Sequence, residues 1–215
     1  METIAKGAEA ILYKNEDKVI KERVRKGYRI PVIDDDLRRK RTRLEARLMN
    51  EARRVGVNVP LARELGENKI EIDFIEGKMV KDTLDKGNAK EIGKKMGEGI
   101  AKLHSSGIIH GDLTTSNMIL TQNNKLFFID FGLGSRSERI EDMAVDLYVL
   151  REVITSTHNQ IEKELWKSIL DAYKKAMKMN ARHAGVGSQN GSDKVIKTLH
   201  EIELRGRYRK KSKVE

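Results

Sequence analysis

Three polar residues flank a short apolar hairpin in the middle of this chain: Asp112, Asn117 and Asp130. Asp112 and Asn117 share one loop, His110-Gly111-Asp112-Leu113-Thr114-Thr115-Ser116-Asn117. A carboxylate and a carboxamide at that spacing can converge on one point. The returning strand, ending in Ile129-Asp130-Phe131-Gly132, delivers a second carboxylate to it. Such a set of oxygens suits a hard cation such as Mg²⁺, which usually keeps substrate phosphates in its shell. The carboxylate left over can orient or deprotonate a hydroxyl or a water. The bland reading is that Asp112 and Asn117 only cap turns.

The elements that must position these groups follow from periodicity. Ile4 to Tyr13, interrupted by Gly7, and Lys18 to Arg23 read as strands around the Lys14-Asn15-Glu16-Asp17 turn. A helix is expected from about Asp36 to Val55, with Asp34, Asp35 and Asp36 before it at the positive end of its dipole. Lys69 to Ile75 alternates like a half-buried strand. Further helices are expected near 88–104, 140–157, 159–178 and 192–204, and a hairpin joins Met118–Thr121 to Leu126–Ile129. Gly185 to Ser192 reads as a loop. The expected division is a small sheet-and-helix lobe over 1–75, a helical lobe over 76–204 and a basic tail over 205–215.

Composition narrows the partners. The net charge is +10 and the pI about 9.6, which favours an anionic partner without choosing one. There is no cysteine, so disulfides, zinc–thiolate sites and cysteine nucleophiles are excluded. No apolar run approaches a membrane span and no signal-peptide core is present, so a cytoplasmic location with no membrane contact is expected.

His110-Gly111-Asp112-Leu113 with Asn117 resembles the protein-kinase catalytic loop, and Asp130-Phe131-Gly132 is its D-F-G triplet. Lys18-Val19-Ile20-Lys21 is similar to the strand carrying the kinase lysine, and Glu45 lies on the next helix. The departures narrow the resemblance. The phosphate loop is Lys6-Gly7-Ala8-Glu9-Ala10, Gly111 replaces the usual arginine, and no A-P-E motif or activation loop separates D-F-G from the helix at Glu141. With Arg41-Thr42-Arg43-Leu44-Glu45-Ala46-Arg47 and the Arg205 to Lys210 tail, the set is similar to the small kinase/ATPase subunit of the KEOPS complex.

That resemblance implies a minimal bilobal protein-kinase-like α+β fold with ATP and Mg²⁺ between the lobes. Lys21 would bridge the phosphates, held by Glu45, and Asp112 would orient the attacking group. Asn117 and Asp130 would ligate Mg²⁺. Lys6, Gly7 and Ala8 would lie over the phosphates, and adenine would rest against Ile72 with the main chain of Asp73 and Ile75. Lys6 is read equally well as a solvated lysine. Asp146 would anchor the catalytic loop. The implied partners are the threonylcarbamoyl-transferring subunit, other KEOPS subunits and tRNA. The basic helix face (Arg38 to Arg41, Arg43, Arg47) and the tail are candidates for phosphate contact, set against plain solvated surfaces. The missing activation loop implies that a partner sets activity. The alternatives are a RIO-type kinase of ribosome maturation, or a non-catalytic scaffold.

Overall fold

A computed structural model describes residues 2–7, 9–183 and 191–211. The amino-terminal part is an antiparallel sheet of β1 (Glu2–Lys6), β2 (Ala10–Asn15), β3 (Lys18–Arg23), β4 (Ala62–Glu64) and β5 (Lys69–Asp73). Its strand order is β1-β2-β3-β5-β4, so β3 lies in the middle. Alternation along β3 buries Val19, Lys21 and Arg23 and leaves Ile20 and Glu22 partly open. Two of the three buried positions are cationic. Buried charge is tolerable only when paired, so this strand face calls for carboxylates.

Helix α1 (Pro31–Arg54) connects β3 to β4 and supplies the first of them. It starts five residues before the Asp36 start expected from the pattern (36 against 31). Pro31 explains the early start: its fixed φ and missing N–H suit the first helical turn. The three aspartates therefore lie inside the helix. Asp34 is fully buried and accepts from Arg38 Nε at 2.9 Å and Arg29 Nη1 at 3.4 Å.

The rest of the chain is mainly helical. A short ladder joins β6 (Lys78–Met79) to the hairpin of β8 (Met118–Leu120) and β9 (Leu126–Phe128). Around it lie α2 (Val80–Thr83), α3 (Ala89–Ser105), α4 (Ile140–Thr157), α5 (Glu162–His183) and α6 (Gly191–Lys211). β7 (Ile108–Ile109) pairs with β10 (Ser135–Arg136). Helix α6 thus runs past Leu204 into the segment expected to be a tail. The expected 185–192 loop lies outside the described residues except for Gly191 and Ser192, which open α6.

Glycine brings α3 and α5 together. A Cβ at Gly97 would sit 2.3 Å from the Ile169 carbonyl oxygen, so only hydrogen fits there. The core around this contact includes Met96, Ile100, Leu103, Leu165, Ile169 and Tyr173. Helix α3 also backs the hairpin, since a Cβ at Gly99 would sit 2.4 Å from the Phe128 ring.

Candidate active site

Lys21 is the centre of the site. It is 8% exposed, and its Nζ donates to Glu45 Oε1 and to Asp130 Oδ1, both at 2.7 Å. Burial works against its charge, but the two carboxylates outweigh burial and hold its pKa above the ordinary lysine value. Glu45 is buried in the middle of α1. Its second oxygen, Oε2, takes Arg23 Nη2. Sequence reasoning passed over Arg23. The available signal was its place two residues after Lys21, which puts both side chains on one face of a strand.

The catalytic-loop segment is built on Asp146 of α4. Its Oδ2 accepts the His110 N–H at 2.8 Å, and its Oδ1 accepts the Gly111 N–H at 2.9 Å. His104 Nε2 lies 3.2 Å from the same Oδ2. Burial opposes ionisation of Asp146, but these donors hold its carboxyl below the ordinary range. The His110 side chain is fully buried, with Nε2 donating to the Ile129 carbonyl at 3.1 Å. Burial holds its pKa down, so it is a neutral strut between the loop and the D-F-G strand.

Gly111 stands where larger kinases carry arginine because there is no space for a side chain. Its φ is +80°. A Cβ there would lie 2.1 Å from the Leu133 carbonyl oxygen. The turn after D-F-G therefore packs directly on the loop. β10 follows at once and pairs with β7, which precedes the loop. This two-residue strand occupies the place of an activation segment.

Asn117 joins the two carboxylates. Its Nδ2 donates to the Asp112 carbonyl at 2.9 Å and to Asp112 Oδ2 at 2.8 Å. Its carbonyl accepts the Ile129 N–H at 3.0 Å, next to Asp130. Asp130 adopts φ +62°, a left-handed conformation that Asp tolerates better than most residues. Burial opposes its ionisation too, yet Lys21 holds the carboxyl below the ordinary range. Lys21 and the Gly132 N–H occupy Oδ1, leaving Oδ2.

Asn117 Oδ1 and Asp130 Oδ2 are hard oxygen donors, and two such ligands completed by phosphate and water match Mg²⁺. No group of three or more His, Cys, Asp or Glu able to hold a metal occurs among the described residues.

The remaining expected residues form the rim. Lys6 is exposed at the end of β1, and the Gly7 N–H closes a turn on the Ala10 carbonyl at 2.9 Å. Ala8 lies outside the described residues. This turn sits over the Arg23 end of β3, where the Val24 N–H donates to the Glu9 carbonyl at 3.1 Å. Ile72 is half-buried between Val19 and Ala62. The Asp73 N–H is used by the Leu61 carbonyl, and its carboxylate takes Lys18 Nζ at 2.7 Å. The Ile75 N–H has no hydrogen-bond partner among the described residues.

The cations on the basic face of α1 lie beside acids. Arg38, Arg39, Lys40, Arg41, Arg43 and Arg47 each lie within 4.0 Å of an acidic oxygen. Acids at i−4, i−3 and i+4 on the same helix supply four of these pairs, because Asp34, Asp36 and Glu51 share its surface.

A lysine–glutamate pair beneath a sheet, a loop hung from a buried aspartate and an Asp-Phe-Gly turn make a kinase-like arrangement. A family model described as the RIO domain matches residues 8–136. The chain is also 38% identical to the KEOPS complex subunit Bud32 of Pyrococcus abyssi, over 99% of this chain and 98% of that one. The chain belongs to the RIO-domain family, in its Bud32 branch. Similarity extends to a probable bifunctional tRNA threonylcarbamoyladenosine biosynthesis protein of Methanobrevibacter smithii, 42% identical over 95% of this chain. The chain spans 36% of that relative's length. Among solved structures, the Rio2 kinase of Chaetomium thermophilum in its ADP/Mg²⁺-phosphoaspartate complex matches with a TM-score of 0.60 at 14% identity, covering 94% of this chain and 70% of that one. The fold is therefore the bilobal RIO-kinase type, α+β, with a sheet-rich small lobe and a helical large one. No helix among the described residues is long and apolar enough to cross a membrane.

Proposed function

We propose that this chain is a Mg²⁺-dependent ATPase and atypical serine/threonine phosphotransferase that serves threonylcarbamoyl modification of tRNA as a KEOPS subunit. The observation that carries the reading is Lys21 Nζ placed 2.7 Å from both Glu45 and Asp130. This is the arrangement phosphoryl transfer requires, since its catalysis is positioning and charge stabilisation. Lys21 binds the nucleotide phosphates and Glu45 holds it there. Asp112, fixed by Asn117 Nδ2, orients the attacking water or hydroxyl through its free oxygen. Asn117 Oδ1 and Asp130 Oδ2 would hold Mg²⁺, which neutralises charge on the phosphates when bound.

Ile72 and the Ile75 N–H, unpaired among the described residues, supply an apolar wall and a donor for adenine. The near-full-length similarity to a Bud32 subunit supports KEOPS subunits as partners. The paired cations of α1 make that face a weak candidate for tRNA contact. The RIO-domain match and the Rio2 likeness favour one other reading, a RIO-type kinase of ribosome maturation.

The test is Mg²⁺-dependent phosphate release from labelled ATP by the full chain, alone and with the threonylcarbamoyl-transferring partner and tRNA. Asp130→Asn keeps a residue type that accepts φ +62° and removes the charge. Turnover should fall by at least about 100-fold with the fold retained. Undiminished turnover would sink the site assignment.

A further inference from the structure

Glu45 is shared by two cations. Lys21 takes Oε1 and Arg23 takes Oε2. All three side chains are buried, at 8%, 6% and 2% residue exposure for Lys21, Arg23 and Glu45. A Cβ built on Gly132 would lie 3.2 Å from Arg23 Nη2 and 3.6 Å from Glu45 Oε2, so the pair rests against the D-F-G turn. The Arg23 backbone is tied on both sides. Its N–H donates to the Asn68 carbonyl at 2.9 Å, and its carbonyl accepts Arg38 Nη1 of α1 at 3.5 Å.

We propose that Arg23 is a positioning residue that keeps Glu45, and with it α1, in the engaged place independently of Lys21. The inference rests on the phosphotransfer reading above and deepens it. Lys21 has competing partners: Asp130 already shares it, and nucleotide phosphates would draw it further. A buried carboxylate left without a cation is strongly destabilised. Arg23 removes that penalty, because its guanidinium stays on Oε2 whatever Lys21 does. A planar, permanently charged fork suits this task better than a second ammonium.

In larger kinases, placement of this lysine–glutamate pair is what activation-loop phosphorylation controls. Here β10 takes the place of that loop, and the second cation is built into the strand. The engaged arrangement then belongs to the chain alone. Any partner that alters turnover acts on some step other than bringing α1 in.

The test uses the full chain with Arg23→Met, Glu45→Gln, the double variant and Arg23→Lys. Two readouts are taken: steady-state Mg-ATP hydrolysis, and hydrogen–deuterium exchange of α1 around Glu45 without nucleotide. Arg23→Met should lower kcat by about tenfold to a hundredfold with little change in KM. The double variant should be no worse than the poorer single, because both changes break one interaction. Exchange in α1 should rise in Arg23→Met and rise less in Arg23→Lys, which keeps the charge but not the fork.

Unchanged exchange in Arg23→Met, or losses that multiply in the double variant, would overturn the role. Equal loss in the Lys and Met variants would overturn it as well. If Arg23→Met does not fold, Arg23→Lys and Glu45→Gln decide by the same exchange readout. A wild-type chain without ATP turnover would count against the proposed function alone, since the exchange measurement still decides the role of Arg23.

Discussion

Lys21 Nζ and Asp130 Oδ1 lie 2.7 Å apart although 109 residues separate them in sequence. The contact joins the sheet lobe to the D-F-G turn of the helical lobe. The cation proposed to bind phosphate and the carboxylate proposed to bind the metal therefore neutralise each other in this structure. Lys21→Met tests the cost of losing that cation. Turnover should fall by at least about 100-fold, because the variant removes the buried cation proposed to bind the phosphates. Urea unfolding should show a loss of only about 1–3 kcal/mol, since Arg23 still covers Glu45.

Gly111→Ala is expected to be more damaging than its one methyl suggests. The position needs φ +80°, and the new Cβ would meet the Leu133 carbonyl oxygen at 2.1 Å. Left-handed backbone at a non-glycine residue costs about 1–3 kcal/mol, and displacement of the Leu133 turn adds to it. Restoring the arginine of larger kinases, Gly111→Arg, should be no better. Denaturant midpoints of the two variants check this; near-wild-type stability for either would contradict the packing argument.

Tyr173→Phe isolates one hydrogen bond in the floor of the site. Asp146 accepts from His104 Nε2, so His104 Nδ1 is free to accept the Tyr173 hydroxyl at 3.0 Å. Burial raises the Tyr173 pKa well above the ordinary value, so the hydroxyl keeps its proton and donates. Phenylalanine preserves the packing but leaves a buried imidazole nitrogen unpaired. The expected loss is about 1–3 kcal/mol in urea unfolding.

Stability should fall as the medium is acidified below about pH 6.5. Burial holds both His110 and His158 below their ordinary value of 6.5. In that range the unfolded chain takes up protons that the folded chain refuses, so acid favours unfolding. The Asp130 and Asp146 contributions are present above the ordinary carboxylate value of 3.8 and are lost as pH falls through their depressed folded values. Thermal melts at a series of pH values check the order. The first decline should begin near the histidine range, and a midpoint unchanged down to about pH 5 would contradict it.

Neutralising Arg43 and Arg47 should alter tRNA affinity by less than about twofold at physiological salt, because Glu64 and Glu51 already compensate them. Filter binding of Arg43→Gln and Arg47→Gln, with the salt slope recorded, measures this directly. A slope reduced by about one unit per substitution would mean that these cations contact phosphate after all.

Several residues of the candidate site that the structure brings together could be picked out along the chain. Asp112, Asn117 and Asp130 were legible because their chemistry depends on residue type and short spacing within one loop and one hairpin. Lys21 and Glu45 were legible through strand and helix periods together with the kinase resemblance. The α+β class was legible because alternation up to Ile75 gives way to mostly helical spacing afterwards. Three-residue β4 and four-residue α2 were not, because elements so short carry no measurable period.

What the sequence by itself determined is which groups can do chemistry and roughly which element carries each. The tertiary structure decided who neutralises whom. Arg23 meets Glu45, Asp34 is buried among arginines, and the cations of α1 find acids beside them. Tyr173, which patterned as plain core, holds the histidine beneath the catalytic loop. The physical reason is that a buried charge or polar group is set by the partners that desolvation forces on it. Those partners lie on elements brought together only when α1 docks on the sheet and α5 packs on α3.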